Sequence, residues 1–362
     1  MAGPLTGLKI VEMAGVGPAP FAAMMLADHG AEVIRVEREG LIGIPNDPLL
    51  RSRRSIALDL KRQGADEIVR KLAAAADGLI EGYRPGVMER LGLGPAKLLE
   101  DNPKLVYGRV TGWGQDGPLA GAAGHDLDYV ALSGLLHGIG PKERPAVPIN
   151  YLADFAGGGM MIAFGMVAAL LEVQRGGAGQ VIDCAMSDGS ALIGALTYGM
   201  KAAGLWSGER ESNLLDGGSA TYGVYRCSDG QFIALAAIEP HFRAELLDGL
   251  GLCADAGRDE VAGAIAARGR DEWIAHFAGK DACVAPVLTL DEGPDHPHNR
   301  ARGTFIELAG VVQPGPVPRY SASGTGAPTA PRNSGVDGEA ILSELGYSAK
   351  EIAVLREEGA LL

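Results

Sequence analysis

Four cysteines, Cys184, Cys227, Cys253 and Cys283, lie far apart in the chain with no CxxC pair. Neither a thiolate zinc site nor a disulfide framework is available to organise the fold, and free thiols fit a cytoplasmic protein. Basic residues are outnumbered, 32 Lys and Arg against 45 Asp and Glu, for a net charge of −13. A nucleic-acid backbone needs a basic face, so nucleic acid is excluded as a partner. The longest uncharged run, Phe155 to Leu171, is shorter than the roughly 20 apolar residues that span a bilayer, and Asp154 and Glu172 bound it. It reads as a buried helix, with no membrane as partner. The first residues, Met-Ala-Gly-Pro-Leu-Thr, carry no basic and apolar leader. No internal repeat is visible.

What the chain does have is glycine, 54 in 362 residues, together with a hydrophobic fraction of 47%. That length exceeds the roughly 250–300 residues at which a single core stops growing, so two domains are expected. Leu8 to Glu12 reads as a strand, Phe21 to His29 as a helix and Ala31 to Glu37 as a strand, a βαβ opening. Strands at 55–60, 77–81 and 104–111 then alternate with helices at 64–75 and 96–100. Such alternation predicts an α/β domain with a parallel sheet covered by helices on both faces, and ligands settle beyond the carboxyl ends of its strands.

The opening invites a dinucleotide reading, since Gly15-x-Gly17 follows a strand and Glu37 stands about 20 residues later. Against NAD, Pro20 occupies the slot of the third glycine, and Pro18 and Pro20 remove two backbone donors a pyrophosphate needs. From Arg35 to Arg62 seven bases face four acids, a net +3 inside an acidic chain. That stretch is either a solvated basic face or a site for a small polyanion.

A helix is expected from Asp126 to His137, the buried helix from Gly157 to Glu172, a strand at 180–184 and a helix from Asp188 onward. After about residue 200 the pattern changes. Trp206 to Gly218 is polar and glycine-rich, a linker by composition; a hairpin at 223–227 and 231–238, three helices and a short strand at 283–287 make a smaller α+β domain. Gly310 to Asn333, rich in Pro, Gly and Ser, reads as a return linker before two terminal helices.

Chemistry concentrates in two stretches, Gly124-His125-Asp126-Leu127-Asp128-Tyr129 and Asp154-Phe155-Ala156-Gly157-Gly158-Gly159. A histidine and a carboxylate on separate helix starts suit proton transfer from opposite faces of a carbon acid, with hydrogen-bond donors where charge builds on a carbonyl oxygen. His125 titrates near neutrality by default, or else is a helix-start histidine satisfied by a backbone carbonyl. Asp154 is either a shielded acid or the N-cap of the apolar helix. The three glycines allow either close approach of a ligand or tight helix packing.

Together the two stretches resemble the GHDxxY and DFxGGG motifs of the α-methylacyl-CoA racemase branch of the family III CoA-transferase superfamily, of CaiB/BaiF type. Further matches run in order along the chain: Gly-Pro-Ala-Pro-Phe at 17–21, Val36-Glu37-Arg38, Ala57 to Lys61, Arg84 to Gly92, Ala237 to Pro240 and Glu344 to Tyr347. The resemblance implies a Rossmann-like large domain (1–200 and 330–362) and a small domain (220–305). Two linkers (201–219 and 306–329) would thread subunits into an interlocked homodimer.

It also implies an isomerase that acts on 2-methylacyl-CoA thioesters by 1,1-proton transfer, without metal or added cofactor, coenzyme A being part of the substrate. By resemblance His125 and Asp154 are the acid/base pair, Glu239 orients His125, and the amide of Asp126 is the oxyanion donor. The coenzyme is assigned Arg38 for its 3′-phosphate, together with Ala57, Leu58, Asp59, Leu60, Lys61, Gly82, Tyr83, Arg84, Arg90, Gly124, Leu127, Asp128 and Tyr129. Alternatives stay open at three of these. Arg38 would otherwise be a surface residue, Arg90 a partner of Glu89 or Glu81, and Glu239 a rim carboxylate. Asp128 stands where many relatives carry asparagine, an extra charge near the enolate. The runner-up is a CoA-transferase with Asp154 as nucleophile forming an acyl anhydride. A third reading, a CoA-binding protein without catalysis, leaves the trio unexplained.

Overall fold

A computed structural model describes residues 3–38 and 44–362. The chain divides into two compact units, one of Met1–Ser133, Ile149–Ile193 and Gly303–Leu362, the other of Gly134–Pro148 and Gly194–Arg302.

In chain order the first unit starts with β1 (Lys9–Met13), α1 (Pro18–Asp28), β2 (Glu32–Glu37), β3 (Arg53–Ala57), α2 (Ala65–Ala74) and β4 (Gly78–Glu81). It continues with α3 (Val87–Arg90), α4 (Pro95–Asp101), β5 (Val106–Thr111) and α5 (Asp126–Leu132). A π-helical turn, Tyr151–Met160, then runs without a break into α6 (Met161–Gln174), followed by β6 (Gln180–Ala185) and α7 (Met186–Ile193). The second unit contributes α8 (Ala195–Ala202), β7 (Tyr222–Arg226), β8 (Phe232–Ala236), α9 (Pro240–Leu250), α10 (Arg258–Ile265), α11 (Arg270–His276), β9 (Val284–Pro286) and α12 (Pro297–Arg302). The chain returns to the first unit as the hairpin β10 (Phe305–Leu308) and β11 (Val311–Pro314), then α13 (Gly338–Glu344) and α14 (Ala349–Glu357).

The sheet of the first unit is α/β as expected: six parallel strands in the order β3-β2-β1-β4-β5-β6. The central strands are buried at almost every position because helices cover both faces. Ile56, Leu58, Leu79 and Tyr107 of the sheet pack with Ile68 and Leu72 of α2 and with Ile341, Leu342, Ile352 and Leu361 of the terminal segment. The last residues complete the β3 edge, Leu362 N–H donating to the Ala57 carbonyl at 3.0 Å.

The helix expected to begin at Gly157 begins six residues earlier, at Tyr151. Nor is it buried all round. Ile162, Met166 and Leu170 face the sheet, while Phe164, 73% exposed, lies with Met160, Val167 and Leu171 on the opposite side. From Tyr151 to Gln174 its 24 residues are long and apolar enough to cross a membrane by length and composition.

In the second unit, the polar stretch around Trp206 to Gly218 is held by side chains that bond backbone. The Arg210 guanidinium donates to the carbonyls of His137, Pro141 and Lys142 at 2.8–3.0 Å. Asn213 ties Ser207 and Asp216 together.

Candidate functional site

Strand order reverses between β1 and β4, which in open α/β sheets is where ligands settle, beyond the carboxyl ends of the strands. The loop after β1 ends at Gly17, with φ +72°, a left-handed conformation natural to glycine. Pro18 and Pro20 occupy the first turn of α1, so it offers few donors. An ideal Cβ on Gly17 would come within 3.3 Å of Asp154 Oδ2. A carboxylate thus stands at the turn where a dinucleotide fold presents its pyrophosphate, which further disfavours NAD.

Asp154 is not an N-cap. It lies inside the π-helical turn, half-buried, and Asn150 Nδ2 donates to its Oδ2 at 3.2 Å. Burial raises its proton affinity above that of an ordinary aspartate; the Asn150 bond opposes this, the charge of Asp126 adds to it, and His125 lowers it. Phe155 packs on Phe21 of α1 with ring centroids 5.0 Å apart.

Gly157, Gly158 and Gly159 are packing glycines. A Cβ on each would meet Ser190 N at 2.8 Å, Met186 Cγ at 2.8 Å and Phe21 Cδ1 at 2.7 Å respectively. Only glycine lets this turn lie between α1 and α7.

His125 caps α5 in an extended conformation, and its backbone N–H donates to Asp128 Oδ2 at 3.0 Å. Asp128 therefore serves the helix start, where a carboxylate is favoured by the helix dipole. The imidazole is exposed, and no carbonyl or carboxylate among the described residues bonds it. The backbone-satisfied histidine is set aside.

Asp126, 5% exposed, turns its side chain the other way: Oδ2 accepts the N–H groups of Ala153 at 2.7 Å and Asp154 at 2.8 Å. One carboxylate thus joins the chain at His125 to the chain at Asp154. Tyr129 donates its hydroxyl to the Gly124 carbonyl and meets Trp113 edge to face at 4.7 Å. A Cβ on Gly112 would lie 2.3 Å from the Tyr129 ring and one on Gly124 2.8 Å from it, so both glycines make room for the ring that fixes the approach to His125.

With this geometry in place, a profile of CoA-transferase family III matches residues 5–335. The chain belongs to CoA-transferase family III. It is 45% identical to alpha-methylacyl-CoA racemase of Mus musculus over 370 residues, 98% of this chain and 96% of that protein. The racemase of Homo sapiens is 42% identical over the same shares of the two chains. Among solved structures, a CAIB/BAIF family protein from Brucella suis matches with a TM-score of 0.83 at 27% identity, covering 95% of this chain and 100% of that one.

Of the positions that resemblance to the family assigns to coenzyme A, Arg38, Lys61, Arg84 and Arg90 are exposed, and no carboxylate among the described residues pairs with them. The expected alternative for Arg90 does not occur, because Arg109 holds both Glu81, at 2.9 Å, and Glu89, at 2.8 Å. Arg90 instead lies over Gly86. Arg84 acts electrostatically on Tyr129, which places the turn after β4 near the His125 segment.

Ala57 and Leu58 are in the core, bridged by the C-terminal residues, so at most their backbone can face a ligand. Asp59 Oδ1 accepts the Lys61 N–H at 3.1 Å, and Leu60 and Tyr83 pack on the core cluster. Gly82 and Leu127 are exposed, and Gly124 is partly so.

The basic stretch proves to be neither a solvated face nor wholly a polyanion site. Arg35 and Arg53 both pair with Glu12, Arg51 with Asp28, and Arg54 with Glu32 and Glu344. Only Arg38, Lys61 and Arg62 face outward.

Glu239 belongs to the other unit, exposed, immediately before Pro240 of α9. Sequence reasoning missed Asn150 and the side chain of Asp126, and took Gly17 as part of a dinucleotide-like turn rather than as a neighbour of Asp154. Asn150 stands four residues before Asp154, a signal readable only once the helix is known to start at Tyr151.

Proposed function

We propose that this protein is a racemase of 2-methylacyl-CoA thioesters, interconverting the 2R and 2S epimers through an enolate. The observation that carries the reading is the joint fixing of His125 and Asp154 by the carboxylate of Asp126. Racemisation needs two proton carriers held at a set separation, so that one removes the C2 proton while the other supplies a proton from the opposite face. In one direction neutral His125 takes the proton and protonated Asp154 gives one; in the other the roles exchange. Burial of Asp154 favours the acid form this demands.

The N–H of Asp126, first in α5, would receive the charge that develops on the thioester oxygen. Arg38, Lys61, Arg84 and Arg90, exposed cations with no carboxylate partner among the described residues, suit the phosphates of coenzyme A. The names of the two mammalian relatives agree with the activity. A second copy of this chain would cover the exposed stripe of Met160, Phe164, Val167 and Leu171, as in the interlocked dimer; sedimentation should give twice the 37.4 kDa chain mass, and a fully active monomer would refute it.

The runner-up, anhydride-forming CoA transfer with Asp154 as nucleophile, leaves the histidine idle. The test is NMR of one 2-methylacyl-CoA epimer in D2O without any acceptor. Loss of the C2 proton with appearance of the opposite epimer is expected. Retention of proton and configuration, together with CoA exchange onto a free carboxylic acid, would overturn the racemase in favour of the transferase.

A further inference from the structure

We propose that the side chain of Asp126 is a positioning residue for the proton-transfer pair, locking the backbone of Asp154 to that of His125 and holding a negative charge beside the Asp154 carboxyl. The inference rests on reading those two residues as acid and base. It goes beyond that reading because the family resemblance engages only the backbone amide of Asp126.

The first amides of a helix have no intrahelical acceptor. Here two of them, from consecutive residues, converge on one oxygen of a carboxylate from another helix, at 2.7 and 2.8 Å. The turn they belong to is a π-helical stretch with three glycines, a segment with little stiffness of its own. The clamp supplies what the turn lacks.

The other oxygen, Asp126 Oδ1, is buried and accepts no hydrogen bond from the described residues. Two neutral N–H groups on one side do not cancel a full charge, so the field of Asp126 reaches its neighbours at low local dielectric. Several other groups sit on the elements packed against the turn. Asp128 and Tyr129 on α5 are engaged by the His125 amide and the Gly124 carbonyl. Asp183 on β6 accepts from Gln115, and the Cys184 thiol is pushed up to about 12 by burial. Asp188 stands in the first turn of α7, Arg109 on β5 is held by Glu81 and Glu89, and α1 has no charged group in its first turn. Asp126 and His125 are the two charges that bear on Asp154, with opposite sign. Asp126 thus adds to the rise in proton affinity that burial gives Asp154, while fixing where that carboxyl stands.

A merely structural clamp and a charged one part company in Asp126→Asn, whose amide oxygen still accepts both N–H groups while the charge is gone. Full-length protein with carbon-13 in the aspartate carboxyls reports the titration of Asp154 directly, its signal assigned by loss in Asp154→Asn. The midpoint is expected to move to lower pH in Asp126→Asn, the acid limb of the deuterium wash-in profile moving with it and KM staying near the parent value. Asp126→Ala, which also frees the turn, is expected to lose a further factor on the order of 10²-fold in kcat.

An unmoved midpoint in Asp126→Asn overturns the charge role. Equal kcat in the Asn and Ala variants overturns the clamp. Absence of deuterium wash-in from the parent protein would defeat the racemase reading alone, because the carboxyl titration still decides whether Asp126 sets the proton affinity of Asp154.

Discussion

Two regions of the first unit bury charge, and they do it in opposite ways. Beneath β1, β2 and β3, Glu12 is fully buried and bridges Arg35 and Arg53 while Arg51 forks onto Asp28 and Gln313. Charge there is matched by charge. Around α5 and the π-helical turn, among the described residues, Asp126 Oδ1 has no hydrogen-bond partner, Asp154 has one side-chain donor, and His125 is exposed. Paired charges hold a sheet edge together and leave little to offer a ligand, even where Glu12 Oε2 and Arg53 Nε meet at 2.6 Å as an ion pair without hydrogen-bond geometry. Under-satisfied groups keep the proton affinity and the free valences that chemistry uses.

The sharpest way to break the contrast is His125→Ala. It should cut racemisation by roughly 10²–10⁴-fold, the usual share of a positioned acid/base group, with the melting temperature hardly changed. Anhydride transfer through Asp154 would survive the same change, so residual CoA exchange measured in that variant separates the two chemistries.

Glu12→Ala should behave in the reverse sense. It strands the buried Arg53 guanidinium and leaves Arg35 only Glu37, and losing one partner of a buried pair costs about 3–5 kcal/mol. Urea unfolding should register that loss. Unaltered stability would mean that the cluster under the sheet is as loosely satisfied as the site.

Arginines give a finer comparison within one stretch of sequence. Arg38→Ala should raise KM for an acyl-CoA by roughly 10- to 100-fold, the range of a charge-assisted phosphate contact. Arg54→Ala, whose side chain is already bound to Glu32 and Glu344, should leave KM alone. Equal KM values in the two variants would remove Arg38 from the coenzyme site.

The smallest effect is on stability. Folding raises the proton affinity of Asp154, so the folded state binds more protons than the unfolded state between the unfolded and folded pKa values. Stability from this group is therefore full below the unfolded pKa and lost as pH rises through the folded one. Asp154→Asn, always neutral, should melt slightly higher than the parent at pH 7, with the gap closing on acidification. A gap that widens in acid would mean that Asp154 is held as a stabilised anion, like the carboxylates of the arginine cluster.

Local pattern settled a good deal. The parallel sheet was legible because β1, β2, β4 and β5 are short runs centred on Val, Ile, Leu and Tyr and separated by helical periods. His125 and Asp154 were legible because a histidine beside aspartate, and an aspartate before three glycines, are rare local arrangements. The start of the π-helical turn was not, since Tyr151 to Ala153 carry no cap and the helix there is made by contacts with α1, α5 and α7.

The division of the seven bases between Arg35 and Arg62 was likewise hidden. Glu12, Asp28, Glu32 and Glu344, the acids that claim four of them, stand up to 290 residues away in sequence. Sequence alone singled out the side chains proposed for this protein's chemistry. Tertiary structure decided which charges are neutralised and which remain available, because a charge is set free or silenced by neighbours that only folding brings within a few ångströms.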